Sequence, residues 1–332
     1  NSEEVTSTVL GISIDKEFMP SVANVIGTDL SRYKLISKGL FACNPMHVGR
    51  DERLPIALYE KDNAAIVSPA YFMFEIIDRD VLNEEYLMMW FRRPEFDREC
   101  WFMTDGSVRG GISWDDLCRI QLPVPPYERQ LDVVESYRAI TRRIAMKKEI
   151  NDNLEAVLAA SHSKMFFSKD TSEHSKLGEL MTFGNGKSRP KTDGPIPVYG
   201  GNGVLSYTDH HNIENAVLIG RVGAYCGSVY LEQGICWVSD NAIFAKSKIT
   251  KDEFFDYFLL KRLNLFNHHV GTGQQLLTQE ILNNIEVPKP VTEQIELFNR
   301  KATSIFETIF TNSREIIRLQ ELSDLLLSRL AG

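Results

Sequence analysis

The chain has 332 residues, 43% of them hydrophobic, with 37 basic and 45 acidic side chains and a formal charge of −8. Its length is enough for two domains with apolar cores, and its negative balance excludes a uniformly basic nucleic-acid binder, so any DNA contact has to come from local clusters. No apolar run approaches the roughly 18 residues of a membrane span, and the acidic opening NSEEVTSTVL lacks the basic and apolar regions of a secretory signal.

A cytoplasmic location is therefore expected. Cys43, Cys100, Cys118, Cys226 and Cys236 are odd in number and include no CxxC pair, which fits reduced core thiols better than a disulfide framework or a zinc site.

In chain order, residues 1–125 read as a mixed α/β unit whose later part, LNEEYLMMWFRRPEF, has helical apolar spacing. ISWDDLCRI follows as a short helix capped by Ser113. The stretch IQLPVPPYERQ at 120–130 then ends a strand-like run with three prolines and admits a helix, because proline lacks an N–H and biases its predecessor away from helix. From 127 to 167 a 4-3 spacing selects Val133, Tyr137, Ile140, Ile144, Lys147, Asn151, Leu154, Leu158, Ser161 and Met165. This predicts a long helix with an apolar seam broken by polar residues near its middle.

The segment 171–290 opens with Lys176 to Leu180 and continues in short strands such as IPVYG, AVLIGRVG and GSVYLE. KDEFFDYFLLKRL and LTQEILNNI, the latter capped by Thr278, predict helices. IEVPKPVTEQ repeats the proline hinge at 285–294, and a second seam runs through Ile295, Phe298, Ala302, Ile305, Ile309, Asn312, Ile316, Leu319, Ser323, Leu326 and Leu330.

The two halves are thus copies. Val48-Gly49-Arg50 matches Ile219-Gly220-Arg221, Tyr59 matches Tyr230, and Val67-Ser68 matches Val238-Ser239, all at an offset of 171. Ser107, Ser113, Leu117, Ile120, Pro123 and Pro125 match Thr272, Thr278, Leu282, Ile285, Pro288 and Pro290 at 165, and Gln130 matches Gln294 at 164. Lys176 to Leu180 has no partner in the first copy, whose N-terminal side is expected to be truncated or divergent. Two seams in one chain, with a globular unit between them, are most simply satisfied by antiparallel pairing. Bundle helices or oligomerisation handles are the alternative.

Familiar catalytic and metal patterns are missing. GNGKS at 184–188 lacks the earlier glycine of a phosphate loop, since Met181 stands there. NPMH at 44–47 lacks the second proline and the aromatic of an amino-methyltransferase tetrad. His210-His211 and His268-His269 are adjacent, so their side chains diverge. Polar, aromatic and basic residues do gather on turn-rich segments. The candidates for DNA contact are His47, Arg50, Arg53, Ser68, Tyr71, Ser107 and Arg109 in the first copy. In the second they are Lys187, Ser188, Arg189, Lys191, Tyr199, Asn202, Arg221, Thr272, Gln274 and Gln275.

Globular unit, PVPPYERQ hinge, long helix, second unit, PKPVTEQ hinge and second helix together resemble the specificity subunit of type I restriction-modification systems. DGSVRGGISWDDLCRI and GTGQQLLTQEILNNI resemble what precedes the hinges there. The resemblance implies an α/β (mixed α+β) tandem repeat. Target recognition domains are expected at 1–125 and 171–290, with spacer helices at 126–170 and 291–332 forming an antiparallel coiled coil in a pseudo-twofold dumbbell. It further implies a non-catalytic reader of a bipartite double-stranded DNA target, without cofactor or metal, bound to two DNA methyltransferase (modification) subunits and to restriction/translocase subunits. A protein-interaction adaptor without DNA specificity and an enzyme with an unusual site are the rival readings.

Overall fold

The computed structural model describes residues 6–21, 27–104, 110–168, 173–271 and 273–331. The chain divides into two compact units, one of residues 1–146 with 315–332 and one of residues 147–314.

In the first unit the elements are β1 (Val9–Ile12), β2 (Phe18–Pro20), β3 (Lys34–Ile36), β4 (Phe41–Cys43), α1 (Val48–Asp51), β5 (Ile56–Leu58), β6 (Ala65–Val67), β7 (Phe72–Phe74), α2 (Glu84–Phe91), α3 (Pro94–Phe102), α4 (Trp114–Arg119) and the first half of α5 (Tyr127–Phe166). Its strands make sheets of order β2-β1-β6-β3 and β5-β4-β7. Successive strand residues point to opposite faces, and both faces are buried here. Phe41, Cys43 and Ile56 enter a core with α2 and α3, while Ala42 and Ala57 join Leu10, Ile12 and Ile36 on the other side.

The second unit contains the rest of α5, then β8 (His174–Lys176), α6 (Leu177–Leu180), β9 (Met181–Asn185), β10 (Ile196–Gly200), β11 (Gly203–Thr208), β12 (Ile213–Gly220), β13 (Val229–Val238), β14 (Ala242–Ser247), α7 (Phe254–Arg262), α8 (Gln279–Asn284), β15 (Glu286–Pro288) and the larger part of α9 (Thr292–Ser328). The main sheet has the order β11-β10-β13-β12-β14-β9, and β15 pairs with β8. Val217 and Ile219 face a core with α7, and Ala216 and Leu218 face a second one with Cys236 and Val238.

The mixed α/β class read from the sequence is what folds, and the repeat shows in the pairing. Leu10 pairs in parallel with Val67, and Tyr199 in parallel with Val238. Ser113 Oγ accepts from Asp116 N, and Thr278 Oγ1 from Ile281 N, so both short helices carry the expected cap.

One part of the sequence register needs correction. Val48 to Arg50 open helix α1, whereas Ile219 and Gly220 end strand β12. Phe41 pairs with Phe74 as Val217 pairs with Ala245, and Pro45 O accepts from Ile112 N as Arg221 O accepts from Leu277 N. The structural counterpart of Arg221 is therefore Pro45 rather than Arg50. The single strand β12 is split into β3 and β4 in the first unit, and the register shifts after the split, where the segment from Pro45 through α1 to Val67 is longer than its counterpart from Arg221 to Val238. Among the described residues of that unit, β9 has no counterpart.

The predicted seam of α9 is its buried stripe, whereas along α5 the predicted positions are half-buried apart from Leu158, and the other fully buried side chains there are Gln130, Val134, His162 and Phe166. In the second unit Lys147 Nζ donates to Asn312 Oδ1 at 2.9 Å, Asn312 Nδ2 to Asn151 Oδ1 at 2.9 Å, and Asn151 Nδ2 to Ser313 Oγ at 3.3 Å. Leu158, Phe298, Ala302 and Phe306 lie in the same core. In the first unit Arg143 Nε meets Glu315 Oε1 at 2.7 Å, and Val134 is buried with Leu327 and Leu330. Partners rise along α9 as they fall along α5, so within each unit the helices run antiparallel.

Candidate nucleic-acid interface

Five turns of the second unit meet at one place because glycine and backbone polar groups allow close approach. Lys187 N donates to Val238 O at 2.9 Å, Gly186 N to Ala242 O at 3.1 Å, Arg221 N to Asn241 O at 3.0 Å, and Gly223 N to Gln275 O at 3.0 Å. A Cβ on Gly186 would lie 1.9 Å from Ser239 O, and one on Gly220 would lie 2.1 Å from Tyr225 O. Only glycine permits those contacts. The cluster brings Lys187, Ser188, Asn202, Arg221 and Gln275 together from segments far apart in sequence.

Lys187, Ser188, Arg189, Lys191, Asn202 and Gln274 are exposed, and Arg221 and Gln275 half-buried. Among the described residues no acidic side chain pairs with Lys187, Arg189 or Lys191, so these three cations face solvent uncompensated. Such unpaired charges on a turn suit phosphate contact. Tyr199 is different: its hydroxyl donates to Glu232 Oε2 at 3.0 Å, and burial together with that carboxylate holds the phenol well above its ordinary range. It braces β10 against β13. Exposed Tyr225 joins the cluster from the turn after Arg221, and sequence reasoning passed it over; the glycines on either side of that turn were the available signal.

In the first unit Arg50 is exposed on α1, with both Nε and Nη2 on the neighbouring Asp51, and Arg53 lies 3.5 Å from Asp15. Both charges are thus partly compensated locally. Ser68 Oγ accepts from Ala70 N at 3.3 Å. Tyr71 is half-buried against the sheet, and burial raises its phenol pKa. The 110–112 segment is drawn close to the turn at Pro45, with Gly49 N donating to Gly110 O at 2.9 Å and a Cβ on Gly111 falling 2.8 Å from Pro45 O. The side chain of His47, together with Ser107, Arg109 and Thr272, lies outside the described residues.

With this geometry in view, residues 169–325 match the family model described as the type I restriction modification DNA specificity domain. That stretch is similar to a type I restriction-modification DNA specificity domain. The S subunit of a type I restriction-modification system from M. genitalium is similar over 90% of this chain and 84% of its own, with a TM-score of 0.57 and 16% identity. That likeness speaks for the fold. The HsdS subunit from Thermoanaerobacter tengcongensis aligns over 99% of this chain and 91% of its own at 16% identity, with a TM-score of 0.36. No curated protein sequence is significantly similar to this chain. The resemblance to type I specificity subunits read from hinges and helices is borne out, and DNA sequence specificity is favoured over a scaffolding role. Among the described residues no helix is long and apolar enough to cross a membrane.

Proposed function

We propose that this chain is the reading subunit of a type I restriction-modification complex, with residues 1–125 and 171–290 each recognising one half of a split DNA sequence. The spacer helices, 126–170 and 291–332, hold the two readers apart as a dumbbell and carry two modification subunits; restriction/translocase subunits join through the complex. The match of residues 169–325 to the DNA specificity domain is the observation that carries this reading. The repeated strand order and paired short-helix caps extend it to the first copy.

Lys187, Arg189 and Lys191 would grip phosphate, while Ser188, Asn202, Arg221, Gln274 and Gln275 present hydrogen-bonding groups suited to base edges. Methyl transfer and cleavage fall to the partners, in the cytoplasm. The negative charge of the chain fits weak unspecific DNA affinity on its own, with the partners completing a positive channel. Methylome sequencing of cells with and without the chain tests the proposal. A methylated motif of two short sequences with an unspecific gap should vanish on deletion, and an unchanged methylome would sink the reading.

A further inference from the structure

The sequence pairs Gln130 with Gln294, yet in the structure these residues do different things. Gln130 is fully buried. Its Oε1 accepts from Asn83 N at 2.9 Å, and its Nε2 donates to Val81 O and to Pro125 O, each at 2.8 Å. One side chain of α5 thus holds the backbone just before α2 and the proline hinge at once. Gln294 is exposed. The equivalent work in the second unit is done by Asn299, 2% exposed, whose Oδ1 accepts from Phe255 N at 2.9 Å while its Nδ2 donates to Asp252 O and Thr250 Oγ1, each at 2.9 Å.

Each amide therefore has both N–H bonds and its carbonyl oxygen engaged, buried, on the segment that enters the helix following the sheet. The requirement is clearest at α7, whose N-cap Glu253 makes no side-chain cap hydrogen bond. Asn299 supplies the acceptor from α9 instead, satisfying an N–H that the helix itself leaves over. Apolar contact between a helix and a domain tolerates sliding and rotation. Three directional bonds from one planar group do not.

We infer that Gln130 and Asn299 are positioning residues: each amide locks its globular unit to its own long helix at one angle, and so sets the gap between half-sites that the complex accepts. The inference rests on the proposed reading of a split site. It also holds that the two locks arose at different helix positions, Gln130 near the start of α5 and Asn299 about a turn further along α9, so the two units need not leave their helices at the same angle.

The test uses the full chain assembled with its modification subunits and a set of duplexes carrying both half-sequences, with the gap varied one base pair at a time. The wild type should prefer one gap over its neighbours by tenfold or more. Gln130→Met and Asn299→Leu, which keep the volume and remove the bonds, should each cut that preference to about threefold or less, while discrimination within each half-sequence stays as in the wild type. Folded variants that retain the full gap preference would overturn the inference, as would an equal loss of gap and half-sequence discrimination. If either variant does not fold, Gln130→Asn and Asn299→Gln move the amide by one methylene and are judged by the same criterion. Failure of the underlying reading looks different: the wild-type complex would then show no sequence preference at any gap.

Discussion

Asp256 and His162 are two buried ionisable groups in one core, and they respond to pH in opposite directions. Burial, partly offset by the Ser247 hydroxyl and reinforced by the Glu253 charge, pushes the Asp256 carboxyl up to about 7 from 3.8. A carboxyl raised in this way contributes stability that is present below about pH 4 and lost by about pH 7. Asp256→Asn should therefore stabilise the protein at pH 8 by about 1–3 kcal/mol and flatten the decline on the way there, read from urea midpoints across pH. His162 lies among Phe166, Phe255 and Phe298, and burial, with the Arg262 charge, lowers its imidazole from 6.5 to about 3. Stability from a depressed histidine is present above about pH 6.5 and lost as pH falls toward 3. His162→Phe should weaken that acid loss, and an unchanged acid limb would show that other groups govern it. On the surface, Lys187→Ala or Arg189→Ala should reduce DNA affinity evenly across sequences and lower the salt slope by about one each. A loss confined to one base position would instead mark direct base reading.

Elements add constraints that no single side chain supplies. The caps Ser113 and Thr278 hold two short helices in matched positions, and Ser113→Ala or Thr278→Ala should cost about 1 kcal/mol in equilibrium unfolding. Along the helix pair, Lys147, Asn151, Asn312 and Ser313 interrupt an otherwise apolar seam with a hydrogen-bonded polar layer. A polar layer in a coiled coil sacrifices stability for register, since slipping by one heptad would bury these groups against hydrocarbon. Asn151→Leu with Asn312→Leu should raise the melting temperature yet broaden spin-label distances measured across the pair; a narrow distribution would remove the register role.

For the molecule as a whole, the proposed spacer role of the two long helices would convert helix length into DNA spacing. One heptad in a helix rises about 10 Å, close to three base pairs at about 3.4 Å each. Inserting seven residues into both α5 and α9 outside the polar layer should move the methylated gap by about that amount and leave both half-sequences as they were. An unchanged gap would mean that the modification subunits, not the helices, set the distance.

Much of this protein was legible in local patterns. Proline hinges, 4-3 seams and N-caps depend on neighbours within a few residues, so spacing alone located both long helices, both short helices and the repeat. The seam even named the polar layer, because Lys147, Asn151 and Asn312 stand at its positions. Pairing across the chain was another matter. The VGR and IGR matches put Arg50 opposite Arg221, but the first unit carries extra residues between Pro45 and Val67, around α1, that no short window reveals, and the hydrogen bonds donated by Ile112 N and Leu277 N make Pro45 the true counterpart. The Gln130 lock reappears at Asn299, not Gln294, because an amide is chosen by where its helix passes a backbone with unmet polar groups. Bringing Lys187, Asn202, Arg221 and Gln275 into one cluster likewise took the folded sheet, whose turns converge through glycine contacts between segments remote in the chain. Short-range chemistry follows from order along the polypeptide; which remote groups meet follows from the packing of both faces of the sheet, and that depends on every strand at once.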